Sequence, residues 1–329
     1  MITRWLTDWR CRELAEVVCV GEPMLQLNAV TRGPLRYVTY FERHVAGAEA
    51  NVAVAVAKLG HTSALVARVG EDEFGWCIYN FLRGEGVDVR WVKFDPDAPT
   101  AVYFIQRGYP DPWSSRVVYY RKGSAGSRLS PDDIQAESIK GAKFIHVTGI
   151  TPAISDTAKE AVKKAVLLAK DLGIKVSFDT NIRPQLWRST NEASSVLRWF
   201  LERADLVFTD TKDAGILIGE SDPKSIIDKL LVSFEAELVV LKLGAEGAIA
   251  VTHNNRVRVK APQMPVEDPI GAGDALAGAM LASLLDGLDV GEALKRAVIA
   301  GSLAVTTRGD VESQPDIKAI KELRSIYNL

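Results

Sequence analysis

Cysteine is scarce: Cys11, Cys19 and Cys77 are the only three in 329 residues, and they form no CxxC pair. That count and spacing argue against a disulfide framework and against a cysteine-rich zinc site, and point to a reducing compartment. The four histidines show no metal-ligand spacing, so a zinc centre is not expected. An excess of one charge sign is also missing. Lys and Arg number 40 against 42 Asp and Glu, a net charge of -2. Such a chain has no global field to attract nucleic acid or an anionic membrane, and any positive patch must be local. The longest small-apolar run, Ala275 to Leu285, is too short to span a bilayer. Arg4, Asp8, Arg10, Arg12 and Glu13 interrupt the N-terminal segment, which therefore lacks the apolar stretch of a signal peptide. A cytoplasmic protein with neither nucleic-acid nor membrane partners is expected. The sequence has no G-x-x-x-x-G-K-[ST] phosphate loop and no V-A-I-K, H-R-D and D-F-G set, which leaves out P-loop and protein-kinase folds.

Apolar residues make up 47% of the chain and charged residues 25%, ordinary globular values that allow one large α/β domain or two smaller ones. Val17 to Val20, Ser63 to Val69, Val87 to Val92, Phe144 to Val147, Lys175 to Phe178, Leu206 to Phe208 and Leu238 to Leu241 read as strands. Between them Ala48 to Leu59, Glu73 to Arg83, Ser155 to Leu172, Thr190 to Arg203 and Pro223 to Val232 read as helices, with Ala272 to Leu285, Val290 to Thr306 and Pro315 to Tyr327 beyond. This alternation predicts a doubly wound, mostly parallel sheet with helices on both faces. Ala101 to Ile105 and Arg116 to Tyr120 flank a Gly-Tyr-Pro-Asp-Pro turn and read as a β-hairpin. With Leu25 to Phe41 it is expected to form a small sheet standing off the main body. The predicted division is a core of residues 17–23, 44–98 and 123–329, a β-sheet lid of 24–43 and 99–122, and an N-terminal extension, 1–16, without an assigned role.

Asp268-Pro-Ile-Gly-Ala-Gly-Asp274 precedes a helix of small residues. Gly271 and Gly273 let the backbone turn and approach a ligand, and the first helical amides with the helix dipole favour an anion there. Asp274 at that place fits a base that takes a proton from an attacking hydroxyl, or a plain charge stabilising its helix start. Strand alternation puts Tyr103, Ile105 and Arg107 on one face of the hairpin, where Arg107 could clamp a carboxylate with Tyr103 adding a hydroxyl. Arg183, in Asp179-Thr-Asn-Ile-Arg-Pro184, follows a core strand at the edge where doubly wound sheets bind ligands. Against these stand a solvated hairpin Arg and a loop Arg paired to an acid.

The Asp268 to Asp274 segment resembles the D-T-x-G-A-G-D signature of the ribokinase-like (PfkB) sugar kinases, with Pro269 in the Thr place. Gly47-Ala-Glu-Ala-Asn51-Val-Ala and Gly70-Glu-Asp-Glu-Phe-Gly75 resemble that family's N-terminal pattern, Ala46 replacing one Gly. The resemblance runs from about Val17 to Thr306. It implies the ribokinase-like fold, ATP and Mg²⁺, with a monovalent cation as a further candidate, and chemistry between lid and core. It implies Asp274 as base with the amides of Gly271, Ala272 and Gly273 around the transferred phosphoryl group. Asn181, Asp210, Lys242, Gly244, Gly247, Gly271, Ala272, Gly273 and Ser302 fall on the nucleotide side. Lys242-Leu-Gly244-Ala-Glu-Gly247 is similar to a K-x-G-x-x-G phosphate and ribose turn, or is an ordinary strand-to-strand turn. Asp210-Thr-Lys-Asp213 stands where the family has N-x-x-E, so that Asp210 and Asp213 are expected to hold Mg²⁺ through water, or else to cap a helix.

Gly33 to Tyr37, Tyr103 to Pro110, Tyr119 to Pro131 and Asp179 to Pro184 resemble the archaeal type of 2-keto-3-deoxygluconate kinase. That implies phosphorylation of a sugar acid at its terminal hydroxyl, in an Entner–Doudoroff-type pathway, with the galactonate epimer as a second acceptor. It also implies that Gly33, Asn51, Tyr103, Arg107, Arg183, Asp274 and Asp310 contact substrate. Alternatives are a neutral-sugar kinase (fructokinase or ribokinase), a nucleoside kinase stacking a base on Tyr103 or Trp113, and a non-catalytic sugar or nucleotide sensor. The aromatics Tyr37, Tyr40, Phe41, Tyr119 and Tyr120 predict a homo-oligomer formed through the lid's outer face.

Overall fold

The computed structural model describes residues 14–111 and 115–327. Trp5, Trp9, Cys11 and Trp113 lie outside the described residues, as do most of the expected N-terminal extension and the proposed base-stacking role of Trp113. The strands are β1 (Val17–Val20), β2 (Met24–Ala29), β3 (Phe41–Ala46), β4 (Ser63–Gly70), β5 (Val92–Asp95), β6 (Val102–Arg107), β7 (Ser115–Tyr120), β8 (Phe144–Thr148), β9 (Lys175–Asp179), β10 (Leu206–Asp210), β11 (Leu238–Lys242), β12 (Ala248–Val251) and β13 (Arg256–Val259).

Nine of them form one sheet in the order β13-β12-β11-β10-β9-β8-β1-β4-β5. From β11 to β5 all neighbours run parallel, and β12 and β13 add an antiparallel edge. Strand β1 shows why both faces are covered. Val17 and Cys19 join one apolar layer, with Leu65, Phe208 and Val240, against the helices Ala48–Lys58, Ala272–Leu285 and Val290–Ala304. Val18 and Val20 join the opposite layer, with Val147, Val176 and Phe178, against Asp156–Asp171, Thr190–Leu201 and Pro223–Ser233. A strand buried on both sides reads as a continuous apolar run, as Val17 to Val20 does. The strand order reverses at β1, between β8 and β4, which makes the carboxyl ends of the strands around it the place for a ligand.

The remaining strands form a separate four-stranded sheet, β3-β2-β6-β7. Its central pair, β2 and β6, is parallel, and both outer pairs are antiparallel. Met24, Ala46, Ala101, Tyr103 and Ile105 bury one face of this sheet, with Ile270 of the core packed against them. On the other face Phe104 stacks edge-on between Phe41 and Tyr120, at 5.3 and 5.6 Å, and Tyr37, Tyr40 and Tyr120 are exposed.

Two local expectations shift. The strand expected at Val87 to Val92 begins only at Val92. Asp88 makes a single bridge to Ala64 and then turns, its carboxylate accepting the N–H and guanidinium of Arg90; this local Asx turn ends the pairing. Strand β3 runs to Ala46, past the predicted lid boundary at residue 43. Its charged run Glu42-Arg-His44 hides the alternation, while register with β2 is kept along its whole length.

The helix Ala272–Leu285 is buried almost all round and crosses Ala48–Lys58 at Gly278. A Cβ at Gly278 would lie 2.5 Å from the Ala55 Cβ, so only glycine lets these helices approach this closely. Gly278→Val is expected to cost roughly 1–3 kcal/mol by overpacking, read as a lower urea midpoint with an unchanged slope. An unchanged midpoint would contradict the close crossing.

Candidate active site

Gly271 enters the left-handed region, φ 84°, and starts the helix Ala272–Leu285. The carboxylate of Asp268 accepts the Ile270 N–H and fixes the turn before it. The first amides of the helix have no partner within it, and they open onto a cavity of about 410 Å³. The apolar packing of Ala275 to Ser283 holds this helix end against the sheet.

Asp274 lines the cavity on the first helical turn and is buried. Asn51, from the helix Ala48–Lys58, donates its side-chain amide to Asp274 at 2.7 Å and to Asp310 at 3.4 Å. Burial pushes the Asp274 carboxyl up to about 7; nearby Asp179 and Asp310 reinforce the rise, while Asn51 and Lys242 oppose it. Asp310 is likewise pushed up to about 7, first by burial and then by the charge of Asp268. Tyr103 donates its hydroxyl to Asp310 at 3.1 Å, and the Gln26 amide lies 2.7 Å from both Tyr103 and Asp310. Asp274, Asn51, Asp310 and Tyr103 thus form one connected cluster between core and lid.

The ends of β9, β10 and β11 supply the opposite wall. Lys242 reaches both oxygens of Asp179, at 2.8 and 2.6 Å. Asn181 follows in a left-handed conformation, φ 31°, with its N–H held by Asp179, a local bond that Asn tolerates there. Asp210 caps the helix Thr211–Ile218 through the amides of Lys212 and Asp213. Asp213 turns inward and accepts Thr180 and the Ile182 N–H. Burial and the neighbouring Asp210 raise it to about 6. Both of these Asp residues line the cavity, with Lys242 and Gly244.

Two arginines line it as well. Arg121 is buried and pairs with the buried Glu22 at 2.6 Å. Glu22 also accepts Ser124 and packs where a Cβ at Gly126 would sit. Arg183 is half-buried and has no ion pair among the described residues. Arg107 needs a correction: it does not line the cavity, because the end of β6 overshoots it. Arg107 pairs instead with Glu267, at 3.0 Å, which also holds Arg308. Strand alternation from Tyr119, the register partner of Tyr103, marks Arg121 as the arginine facing inward; the sequence carried this signal on β7 rather than β6.

Three more expected contacts fall elsewhere. Gly33 lies off the cavity and donates its N–H to the Arg107 carbonyl. Gly247 closes the turn into β12, φ 95°, where a Cβ would overlap the Val259 carbonyl, so the turn alone requires it. Ser302 is bonded to the Val298 carbonyl of its own helix. Gln26 and Asp179 carry no signal in the local sequence pattern; burial makes each of them matter, and burial of a polar group is not written there.

The wall of β9 to β11 suits a nucleoside triphosphate with Mg²⁺. Gly244, φ 58°, leaves open space on its Cβ side, and Gly271 and Gly273 leave the helix start uncovered. Asp210 and Asp213, the first of which raises the cost of charging the second, form the sparse donor set that Mg²⁺ takes when phosphate and water complete its shell. Among the described residues no cluster of three or more His, Cys, Asp or Glu offers an all-protein metal site. No helix of the described residues is long and apolar enough to cross a membrane.

The chain is 48% identical to the 2-dehydro-3-deoxygluconokinase of Thermoproteus tenax, over 97% of this chain and 99% of that one. It is 33% identical to the 2-dehydro-3-deoxygluconokinase of Bacillus subtilis, over 91% and 92%. The fold is similar to that of a candidate ribokinase II from E. coli solved with ATP and Mg²⁺, at a TM-score of 0.89 and 28% identity, covering 95% of this chain and 100% of that one. Residues 14–317 match the pfkB family of carbohydrate kinases. With a sugar-kinase cleft between two sheets and a buried acid at the start of its central helix, the chain belongs to the pfkB carbohydrate kinase family.

Proposed function

We propose that the chain is an ATP-dependent 2-dehydro-3-deoxygluconate (2-keto-3-deoxygluconate) kinase that phosphorylates the terminal 6-hydroxyl, with the galactonate epimer as a second acceptor. Its place is an Entner–Doudoroff-type route in the cytoplasm. The observation that carries the sugar-acid reading is Arg183, a guanidinium on the wall of the cavity that holds Asp274 with no ion pair among the described residues; Arg121 lines the same wall while bonded to the buried Glu22. A carboxylate takes such a guanidinium as a paired, charge-assisted donor. The relatives named for this substrate support the same reading.

Asp274 takes the proton of the attacking hydroxyl. Asn51 orients its carboxylate, and Tyr103 and Asp310 hold the sugar's remaining hydroxyls on the lid side. The amides of Ala272, Gly273 and Asp274 face the charge that grows on the transferred group. Lys242, Gly244 and Asn181 hold the nucleotide's phosphates. Asp210 and Asp213 would hold Mg²⁺, which when bound would supply further positive charge. We take the four-stranded sheet as the lid that excludes water from this transfer. A second copy of the chain covers the lid's exposed Tyr37, Tyr40 and Tyr120; sedimentation should give a dimer or higher oligomer, and Tyr40→Glu should shift it toward monomer.

Asp274→Asn is expected to retain sugar and ATP binding and to lose about 10³-fold in kcat. Near-normal turnover would remove Asp274 from the base role. Because its carboxyl is raised to about 7, wild-type kcat/KM should fall as pH drops below 7 and the base becomes protonated. The same shift affects stability with a definite sign. Below the ordinary Asp range both folded and unfolded chains are protonated, and the contribution is complete; as pH rises through about 7 the folded state must give up protons that the unfolded chain has already lost, and stability falls. Urea unfolding at pH 5.5 and 8.5 should show that Asp274→Asn lessens this decline.

Arg183 is the cleaner test of the clamp, since removing Arg121 would strand the buried Glu22. Arg183→Ala should raise KM for the sugar acid about tenfold or more, with KM for ATP nearly unchanged. An equal rise for a neutral sugar would contradict the carboxylate contact. Arg107→Ala should leave the sugar-acid KM within about twofold, because its guanidinium is committed to Glu267. An ADP-release assay over sugar acids, neutral sugars and nucleosides identifies the acceptor.

A further inference from the structure

Asp179 ends β9 and is buried. Lys242 ends β11, with β10 between the two strands. Its side chain crosses the end of β10 to reach Asp179 with both oxygens, at 2.6 and 2.8 Å. On the way it passes under the start of the helix Ala272–Leu285. A Cβ on Gly273 would lie 3.5 Å from the ammonium nitrogen and 3.9 Å from the Lys242 Cδ. The ammonium therefore stands beside the first helical turn that faces the cavity, next to the same amides that await an anion.

That position is unfavourable for a lysine on its own. Burial disfavours its charge, and the helix start is itself the positive end of a dipole. Asp179 offsets both. It supplies two charge-assisted acceptors in a fixed orientation, and it is held in turn by the Asn181 N–H. The groups that face Lys242 are Asp179 from β9, Asp213 from the helix after β10 and Asp274 from the central helix. His146 of β8, pushed down to about 4 by burial, adds no charge at neutral pH. Asp213 and Asp274 each have another partner, at Thr180 and Asn51; among the described residues Asp179 alone makes direct hydrogen bonds to the ammonium.

We propose that Asp179 is a positioning residue, which docks Lys242 as a charged clamp at the helix start for the terminal phosphate of the nucleotide. The ammonium has three donors. Two are taken by Asp179, and the third is left for a phosphate oxygen at the mouth of the helix, where the γ-phosphoryl group meets Asp274. Lys242 thereby distinguishes a triphosphate from a diphosphate, and Asp179 sets its position without touching the nucleotide. The proposal rests on the reading of Lys242 as a phosphate ligand, and it is independent of which sugar is phosphorylated.

The test is calorimetric titration with Mg²⁺-AMP-PNP and with Mg²⁺-ADP, without any acceptor. Asp179→Asn should weaken AMP-PNP at least tenfold and ADP less than threefold. Lys242→Met should do the same. The double variant should be no weaker than Lys242→Met alone, because the carboxylate acts only through the lysine. Asp179→Asn and Lys242→Met each leave a buried charge unpaired, while the double variant removes both charges and avoids that penalty; a wild-type far-UV spectrum and melting temperature for each single variant separate loss of binding from loss of fold. Equal AMP-PNP affinities in Lys242→Met and the double variant support the proposal. A further loss in the double variant, an equal loss for ADP, or wild-type AMP-PNP affinity in Asp179→Asn would overturn it. Failure of the wild-type enzyme to phosphorylate sugar acids would refute the acceptor reading and leave these affinities untouched.

Discussion

Asp213, Asp274 and Asp310 crowd one cavity, with Asp179 buried behind Lys242 at its wall, and the structure around them is arranged to make that crowding tolerable. Lys242 is bonded to one of them and lies close enough to two others to feel their charge. Asn51 bridges Asp274 and Asp310, so that each acid gains a donor without a second cation. Burial still raises Asp213, Asp274 and Asp310 well above the ordinary carboxylate range. A site of this kind is poised for positive charge and for protons. On the proposed reading, a nucleotide carrying Mg²⁺ would supply the first, and an acceptor hydroxyl the second. The helix start adds the complementary element, a place for negative charge within a few ångströms of an acid that needs to lose its own proton.

The lid is tied to this core by opposite charges at its rim. Arg308 bonds Glu42 of β3 and Glu267 of the loop before the central helix, and Glu267 bonds Arg107 of β6. His44 of β3 sits against Glu312, and this contact raises its pKa. These pairs are partly exposed, so each contributes little alone. Their value is geometric. They span the gap between two sheets that also meet through Ile270 and the buried face around Tyr103, through Leu25 and Val45 in the core's apolar layer, and through the bonds of Gln26 and Tyr103 to Asp310.

Much of this arrangement is legible from residue pattern. The apolar run Val17 to Val20 and the regular return of helices give the doubly wound core, and the glycines around Ala272 give the helix start that faces the ligand. The hairpin of β6 and β7 is visible in its alternation. What remained hidden depends on where strands end in space. Arg107 shares a face with Tyr103, yet the strand carries it past the cavity to Glu267. Arg121, one residue beyond β7, stays inside because β7 is paired in register with β6. Asp179 looks like a loop acid after a strand. Only the reach of Lys242 across β10 gives it a role. Ser302 and Gly247 show the converse, since a motif position was matched while the group itself was consumed by a helix carbonyl or a tight turn.

The parallel pairing of β2 with β6 has one more consequence. It joins residues 24–29 to 102–107 around most of the first half of the core. Gln26 then bonds Asp310, a partner 284 residues away. Closing contacts of such separation costs more chain entropy than a local contact does, and a high share of them slows folding. The cluster of Asp274, Asn51, Asp310 and Tyr103 is drawn from segments near both ends of the described chain, and no fragment that lacks either end holds it.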